Sequence, residues 1–183
     1  MYHFRNNIEM EAILALLHGD DHLRNLSRKI KVPIATLSRT MKKLRDANVL
    51  DYQLEGKNKV FFIRKTMNAK IYIYLAEHYK LLKFLANYPK VGTVISNLLK
   101  KTNSNVIVLF GSYADFSAEK NSDIDLYLET SPEELKKIEE IDSRIHAKRG
   151  KLDLSSDLGK EIMKKHIILR GVEEFYENTR ILG

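Results

Sequence analysis

The chain has 183 residues, of which 44% are hydrophobic and 30% charged, a composition typical of a soluble protein with one or two domains. It contains no cysteine, which excludes disulfide bonds, cysteine-ligated zinc and cysteine nucleophiles, so any bound metal must use oxygen or histidine ligands. Its longest apolar runs have five or six residues and the amino terminus lacks a signal-like core, so we expect a cytoplasmic protein without a membrane span.

The net charge of +7 is unevenly distributed along the chain. Residues 1–65 carry 13 Lys and Arg against 7 Asp and Glu, and residues 66–104 carry 6 against 1, whereas residues 105–183 carry 12 against 16. A basic front half followed by an acidic back half predicts a polyanion-binding module joined to a metal-binding one.

The first 65 residues predict three short helices and a hairpin. Helical spacing of apolar residues indicates helices over residues 8–17 and 22–30. In the third helix, after Pro33, the apolar arc is Ile34, Leu37, Met41 and Leu44. Asn48 is expected to take a left-handed turn, and residues 49–54 and 60–63 are predicted to form two strands around a basic tip that carries Lys57.

This succession resembles a winged helix-turn-helix domain, with the third helix in the place of the recognition helix. The resemblance implies binding of DNA or RNA by five outward side chains: Thr36, Arg39, Lys42, Lys43 and Lys57. Winged helices of the same apolar pattern also serve as protein-interaction modules, and that alternative stays open.

Residues 67–101 predict two helices separated by Tyr88-Pro89. The first carries a broad apolar stripe of Ile71, Tyr74, Leu75, His78, Leu81, Leu82 and Leu85. A stripe of this width needs a partner, so the segment is interpreted as a connector or as the seam of a homodimer.

Residues 105–129 hold the densest chemical signal. An apolar run ends at Gly111-Ser112, which predicts a buried strand and a tight turn suited to a phosphate. In the second run, Asp123 and Asp125 fall on one face of a strand, roughly 6–7 Å apart. Such a carboxylate pair favours a hard divalent cation, and a phosphate site beside it indicates phosphoryl or nucleotidyl transfer.

The remaining residues predict three helices and one strand. Ser131-Pro132-Glu133-Glu134 is a strong helix start, and the helix is predicted to run to about residue 148. A strand over residues 151–155 would present Asp153, with Asp157 as a nearby alternative, before helices over residues 159–170 and 172–180.

The combination of Gly111-Ser112, Asp123, Asp125 and a later Asp153 resembles the signature of the polymerase-beta-like nucleotidyltransferases, especially the minimal ones. The resemblance implies that the three carboxylates hold two Mg²⁺ or Mn²⁺ ions, that Asp153 accepts the proton of the acceptor, and that Gly111 and Ser112 bind the phosphates of a nucleoside triphosphate. Where the family has a basic residue and then a glycine, this chain has Asp115 and Phe116.

These expectations combine into an α+β protein of two domains. A winged helix-turn-helix domain occupies residues 1–65, a helical connector residues 66–103, and a nucleotidyltransferase domain with a mixed sheet flanked by helices residues 104–183. The expected function is metal-dependent transfer of a nucleoside monophosphate to an acceptor hydroxyl. A DNA-binding regulator whose second domain senses nucleotide or dimerises is the alternative, and transfer to a protein hydroxyl ranks third.

Overall fold

The structure is a computed structural model that describes residues 6–179. Helices and two separate sheets make up the chain, as the predicted α+β class requires. The chain divides into two compact units, and the boundary between them lies at Tyr79 and Lys80, inside one long helix. The domain limits at residues 65 and 103 stay predictions. Within residues 6–179, no helix has the length and apolar character needed to cross a bilayer.

The first unit contains three short helices, a small sheet and the start of a long helix. Its elements are α1 (Ile8–Leu16), β1 (Asp21–His22), α2 (Leu23–Ile30), α3 (Ile34–Asp46), β2 (Leu50–Glu55), β3 (Asn58–Ile63) and the first part of α4 (Met67–Asn87). The strands are antiparallel in the order β1-β3-β2. The short strand β1 was not predicted from the sequence. The winged-helix assignment itself stays a prediction.

The interior face of α3 follows the predicted helical periodicity, with one exception. Leu37, Met41 and Leu44 are buried, but Ile34 is 46% exposed and lies beside a groove described below. The helix ends as expected, because Asn48 adopts a left-handed conformation with φ 61° that turns the chain into β2.

The second unit is a four-stranded sheet with helices. After the second part of α4 it contains α5 (Pro89–Lys101), β4 (Ile107–Leu109), α6 (Gly111–Ala114), β5 (Ile124–Leu128), α7 (Pro132–Glu139), β6 (Ile145–Arg149), α8 (Asp157–Lys164), β7 (Ile167–Arg170) and α9 (Val172–Thr179). The strand order is β6-β5-β4-β7. The pairing of β5 with β6 is parallel and the other pairings are antiparallel, so the sheet is mixed.

One face of this sheet builds the hydrophobic core of the second unit. Ile124, Leu126 and Leu128 of β5 are fully buried and pack in one cluster with residues of α4, α5 and α7, including Phe84 and Ile138. The alternation predicted for β5 is therefore confirmed, because these residues point away from Asp123 and Asp125.

The predicted helix over residues 131–148 is half wrong. Ser131 caps α7 as expected by accepting a hydrogen bond from the backbone N–H of Glu134, but the helix ends at Glu139. Residues 145–149 form β6 instead, because pairing with β5 satisfies the backbone polar groups of both strands.

Two further predictions fail at the carboxyl-terminal side. Residues 151–155 do not form a strand, because the Asp153 carboxylate accepts hydrogen bonds from the backbone and hydroxyl of Ser155 and bends the chain toward α8. The predicted helix over residues 159–170 stops at Lys164, and the apolar run that follows pairs with β4 as strand β7. The predicted end of the last helix at Arg180 lies outside the described residues.

Candidate active site

The turn after β4 brings a glycine against an aspartate of β5. Phe110 donates its backbone N–H to the carbonyl oxygen of Asp125 at 3.0 Å, and Gly111 follows with a φ of 68°. A Cβ atom on Gly111 would lie 3.3 Å from Cγ of Asp125 and closer still to its Oδ2. Glycine is thus required twice, once for the backbone conformation and once for the space that the Asp125 carboxylate occupies. Ser112 follows in the first turn of α6.

Asp125 lies on the polar face of β5, and Asp123 is the residue directly before the strand. The Asp123 side chain is 62% exposed, whereas Asp125 is half-buried. Burial raises the pKa of Asp125 above its usual value, and the negative charge of Asp123 raises it further, while His146 and Lys148 lower it. A paired, partly desolvated set of carboxylate oxygens is the donor chemistry that suits a hard divalent cation.

Strand β6 adds two basic side chains beside these carboxylates, and neither was predicted. His146 is opposite Asp125 in the parallel register, and its Nε2 atom lies 3.4 Å from Oδ1 of Asp123. Lys148, two residues later, acts on the charge of Asp125. The signal was present in the alternating pattern of residues 145–149, where Ile145 and Ala147 face the core.

Asp153 lies apart from a strand, in the exposed loop before α8. Hydrogen bonds from Ser155 hold the pKa of Asp153 below its usual value. Across residues 6–179 the structure gathers no group of three or more His, Asp or Glu side chains suited to a metal ion. Asp123 and Asp125 lie close enough for the charge of one to affect the other, but Asp153 does not join them in a group of three. The role of Asp153 stays a prediction.

The two positions where the chain departs from the family pattern have clear structural roles. The Asp115 carboxylate accepts a hydrogen bond from Lys165 Nζ at 2.9 Å and another from the backbone N–H of Ser117. Hydrogen bonds from Ser117 and Lys165 lower the pKa of Asp115 to about 2. Phe116 adopts a φ of 62°, a conformation that favours glycine, and its ring stacks on Tyr88.

In the first unit, the five predicted nucleic-acid contacts are all exposed, and their role in binding stays a prediction. Thr36, Arg39 and Lys43 lie on the outer side of α3, whereas Lys42 and Lys57 line a groove of about 640 Å³ between α2, α3 and the β2–β3 hairpin. We call this the basic groove, because five cationic side chains line it: Arg24, Lys42, Arg45, Lys57 and Lys59. No carboxylate is among its lining residues within the described part of the chain.

Tyr52 forms part of the wall of the basic groove. The Nζ atom of Lys59 lies 4.1 Å from the centre of the Tyr52 ring, and the guanidinium carbon of Arg45 lies 5.6 Å from it. These cation–π contacts hold two of the five cations against an aromatic surface. Sequence reasoning missed Arg24, Arg45 and Lys59, although Lys59 lies only two residues after Lys57 of the predicted basic tip.

Comparison with known proteins assigns the second unit. Residues 93–179 match the family model described as Polymerase beta, Nucleotidyltransferase. The match begins within α5 and includes the Gly111 turn, Asp123, Asp125 and strand β6. No curated protein matches the chain. Residues 93–179 therefore form a polymerase beta nucleotidyltransferase domain.

Proposed function

We propose that this domain transfers a nucleoside monophosphate from a nucleoside triphosphate to an acceptor hydroxyl, in a reaction that depends on Mg²⁺ or Mn²⁺. The proposal is carried by the contact between Gly111 and Asp125, which holds a carboxylate directly beside the turn that would receive the phosphates. A glycine that cannot be replaced without displacing a neighbouring carboxylate is a specialised arrangement rather than a solvated strand end.

Asp123 and Asp125 would hold the divalent ions, since the negative charge of Asp123 already raises the pKa of Asp125 and a bound cation would remove that repulsion. When bound, divalent cations stabilise negative charge on the attacking and leaving oxygens. The Ser112 hydroxyl and the backbone at Gly111 would bind the β- and γ-phosphates.

In the proposed reaction the acceptor oxygen forms a bond to the α-phosphorus while the bond from that phosphorus to the bridging oxygen breaks. Pyrophosphate leaves, and the hydroxyl proton passes to a base. Two residues are candidates for that base: Asp153, as the family resemblance implies, and His146, which is supported by its distance of 3.4 Å from Asp123.

The test is incubation of the full chain with α-labelled nucleoside triphosphates, Mg²⁺ or Mn²⁺, and pooled RNA, DNA and cell extract as acceptors. We expect label in one macromolecular class, including protein if a protein hydroxyl is the acceptor, and none with Asp123→Asn or Asp125→Asn. Asp20→Asn is the matched control, because that carboxylate is exposed and belongs to the first unit. Transfer by Asp125→Asn at the parent rate would overturn the proposal.

The same assay separates the two candidate bases. If Asp153 accepts the proton, Asp153→Asn abolishes transfer and His146→Gln does not. The opposite result assigns the proton to His146.

A second candidate function, nucleic-acid binding with the second domain as a nucleotide sensor, is favoured by the basic groove. Five cations without a carboxylate form a surface that attracts a polyanion. The ion pair between Asp115 and Lys165 also favours this candidate, because it neutralises a cation near the Gly111 turn that a triphosphate would otherwise attract.

The regulator candidate predicts binding whose affinity falls with salt. Each of Lys42→Ala and Arg45→Ala should reduce the slope of log affinity against log salt concentration by about 1 for duplex DNA, because each removes one phosphate contact. Lys136→Ala on α7 is the control. Nucleotide-dependent DNA binding without label transfer would favour the regulator, whereas an unchanged slope in both groove variants would exclude the groove as the binding surface.

A further inference from the structure

Helix α4, which runs from the first unit into the second, carries a line of exposed apolar side chains. Among the described residues, five of the eight most exposed large hydrophobic side chains belong to this helix: Met67 at 70%, Ile71 at 43%, Leu75 at 51%, Leu82 at 55% and Leu85 at 36%. We call these five, with His78 between them, the α4 stripe. At about 100° of rotation per residue they fall within an arc of roughly 80°.

The rest of α4 is accounted for by packing within the chain. Ala69, Ile73, Ala76 and Phe84 are buried and lie on the other side of the helix. The charged residues of α4 lie outside the arc of the stripe: Lys70, Glu77, Lys80 and Lys83. The helix is therefore apolar on two sides, and the α4 stripe is the side that faces water.

The spacing of the stripe matches the spacing used in helix pairing. From Ile71 onward the positions 71, 75, 78, 82 and 85 are separated alternately by four and three residues, which is the repeat that packs side chains of one helix between those of another. The same alternation is found when the helix is read in reverse. A second α4 running in the opposite direction therefore presents a complementary surface, as a two-fold dimer requires.

The area also suits a second copy. The exposed parts of the five apolar side chains amount to about 450 Å² per chain, within the range of roughly 300–600 Å² that marks an interaction patch. Two chains would bury at most about 900 Å² from these side chains, which is below the roughly 1,200 Å² of a standard interface and is the size of a weak, reversible one. A partner selected by charge is disfavoured, because the stripe contains no Lys, Arg, Asp or Glu.

We propose that the protein forms a homodimer in which the α4 stripe of one copy packs antiparallel against the α4 stripe of another. The contact is isologous and closes after two chains, so it yields a dimer rather than a filament. The proposal is independent of the nucleotidyl-transfer function.

The test is sedimentation equilibrium of the full chain, with the double variant Leu75→Glu/Leu82→Glu and the control Leu54→Glu. Leu54 is 68% exposed on β2, so the control makes one substitution of the same kind at an apolar surface position outside the stripe. We expect a dimer for the parent and the control, and a dissociation constant at least about 100-fold weaker for the double variant, with an unchanged circular dichroism spectrum. The proposal is overturned if the parent protein is still monomeric at concentrations between about 100 µM and about 1 mM. It is also overturned if the folded double variant remains a dimer.

Cross-linking decides the question if the double variant does not fold. The chain has no cysteine, so Leu82→Cys introduces a single reactive site without adding a charge. A bifunctional maleimide is expected to yield covalent dimers from Leu82→Cys and not from Leu54→Cys. Equal cross-linking of both variants contradicts a seam at α4.

Discussion

Gly111 and Asp125 lie so close together that a side chain added at position 111 would displace the Asp125 carboxylate. A methyl group at position 111 would overlap the Asp125 carboxylate, and the left-handed backbone there disfavours any residue with a Cβ atom. The coupling links the turn that would bind phosphate to the carboxylate that would bind metal.

We expect Gly111→Ala to lower the free energy of unfolding by about 2–4 kcal/mol and to abolish nucleotide transfer, since backbone strain and overpacking add together. Gly56→Ala is the control, because Gly56 has a φ of 59° but open space around its Cα, so about 1 kcal/mol is expected there. Urea unfolding of both variants measures the difference. Equal losses would show that overlap with Asp125 contributes nothing.

The raised pKa of Asp125 implies that its charged form lowers the free energy of unfolding. In the folded chain it binds its proton more tightly than in the unfolded chain, so its ionisation destabilises the fold as pH rises through the folded pKa. We expect Asp125→Asn to increase the free energy of unfolding at pH 7, and the gain to disappear below the unfolded value near 3.8.

The control for Asp125→Asn is Asp123→Asn, whose side chain is 62% exposed and should change stability less. Urea unfolding at pH 7 and near pH 3.5 measures both variants. A less stable Asp125→Asn protein at neutral pH, without added metal, would contradict this reading.

The pKa of Asp115 is shifted in the opposite direction to that of Asp125. Its pKa is about 2 in the folded chain because Ser117 and Lys165 donate hydrogen bonds to it, so its ionised form stabilises the fold above pH 3.8 and this contribution is lost as pH falls through 2. We expect Asp115→Asn to cost on the order of 1 kcal/mol at pH 7, a value kept small because the Lys165 side chain is 61% exposed. The difference from the parent should narrow steadily between pH 5 and about pH 2 in urea unfolding curves.

At the scale of elements, helix ends show where residue choice is not optimal for stability. Helix α2 ends at Lys31, which adopts φ 56° and ψ 46°, a left-handed conformation that glycine takes without penalty. We expect Lys31→Gly to raise the free energy of unfolding by about 0.5–1 kcal/mol. Lys31→Ala removes the same charge but keeps a Cβ atom, so it should bring no gain, and equal effects of the two variants would contradict the backbone explanation.

The β5–α7–β6 segment explains which parts of the second unit could be predicted. The cap at Ser131 and the alternation of β5 are local patterns, and both are confirmed. The end of α7 and the start of β6 could not be inferred locally, because the exposed edge of β5 supplies the backbone partners that make residues 145–149 a strand. The same reason applies to β7, which is stabilised by β4.

At the scale of the whole molecule, ligand binding should reveal the proposed site through stability. A nucleotide analogue with a non-cleavable α–β bridge, in the presence of Mg²⁺ and at 100 times its dissociation constant, is expected to add about 2.7 kcal/mol to the free energy of unfolding. Asp125→Asn should show no such gain, while Asp20→Asn should behave as the parent does. Stabilisation of equal size in Asp125→Asn would separate nucleotide binding from this carboxylate.

The charge distribution of the whole chain was readable from the sequence and has a structural counterpart. The basic groove gathers five cations from α2, α3 and the hairpin. Which lysines and arginines belong to it depended on the packing of those three elements. Lys42 and Lys57 are among its lining residues, whereas Thr36, Arg39 and Lys43 are exposed on α3 outside the lining.

The sequence by itself determined the features that depend on neighbours along the chain: the apolar arc of α3, the turn at Asn48, the Gly111 turn and the two-sided strand β5. Only the tertiary structure decided the features that depend on partners far along the chain. It paired β6 with β5, brought His146 beside Asp123, and left Asp153 in a loop where Ser155 satisfies its carboxylate. The physical reason is that a strand is stabilised by hydrogen bonds to another segment, so its existence and its neighbours are properties of the folded sheet rather than of its own residues.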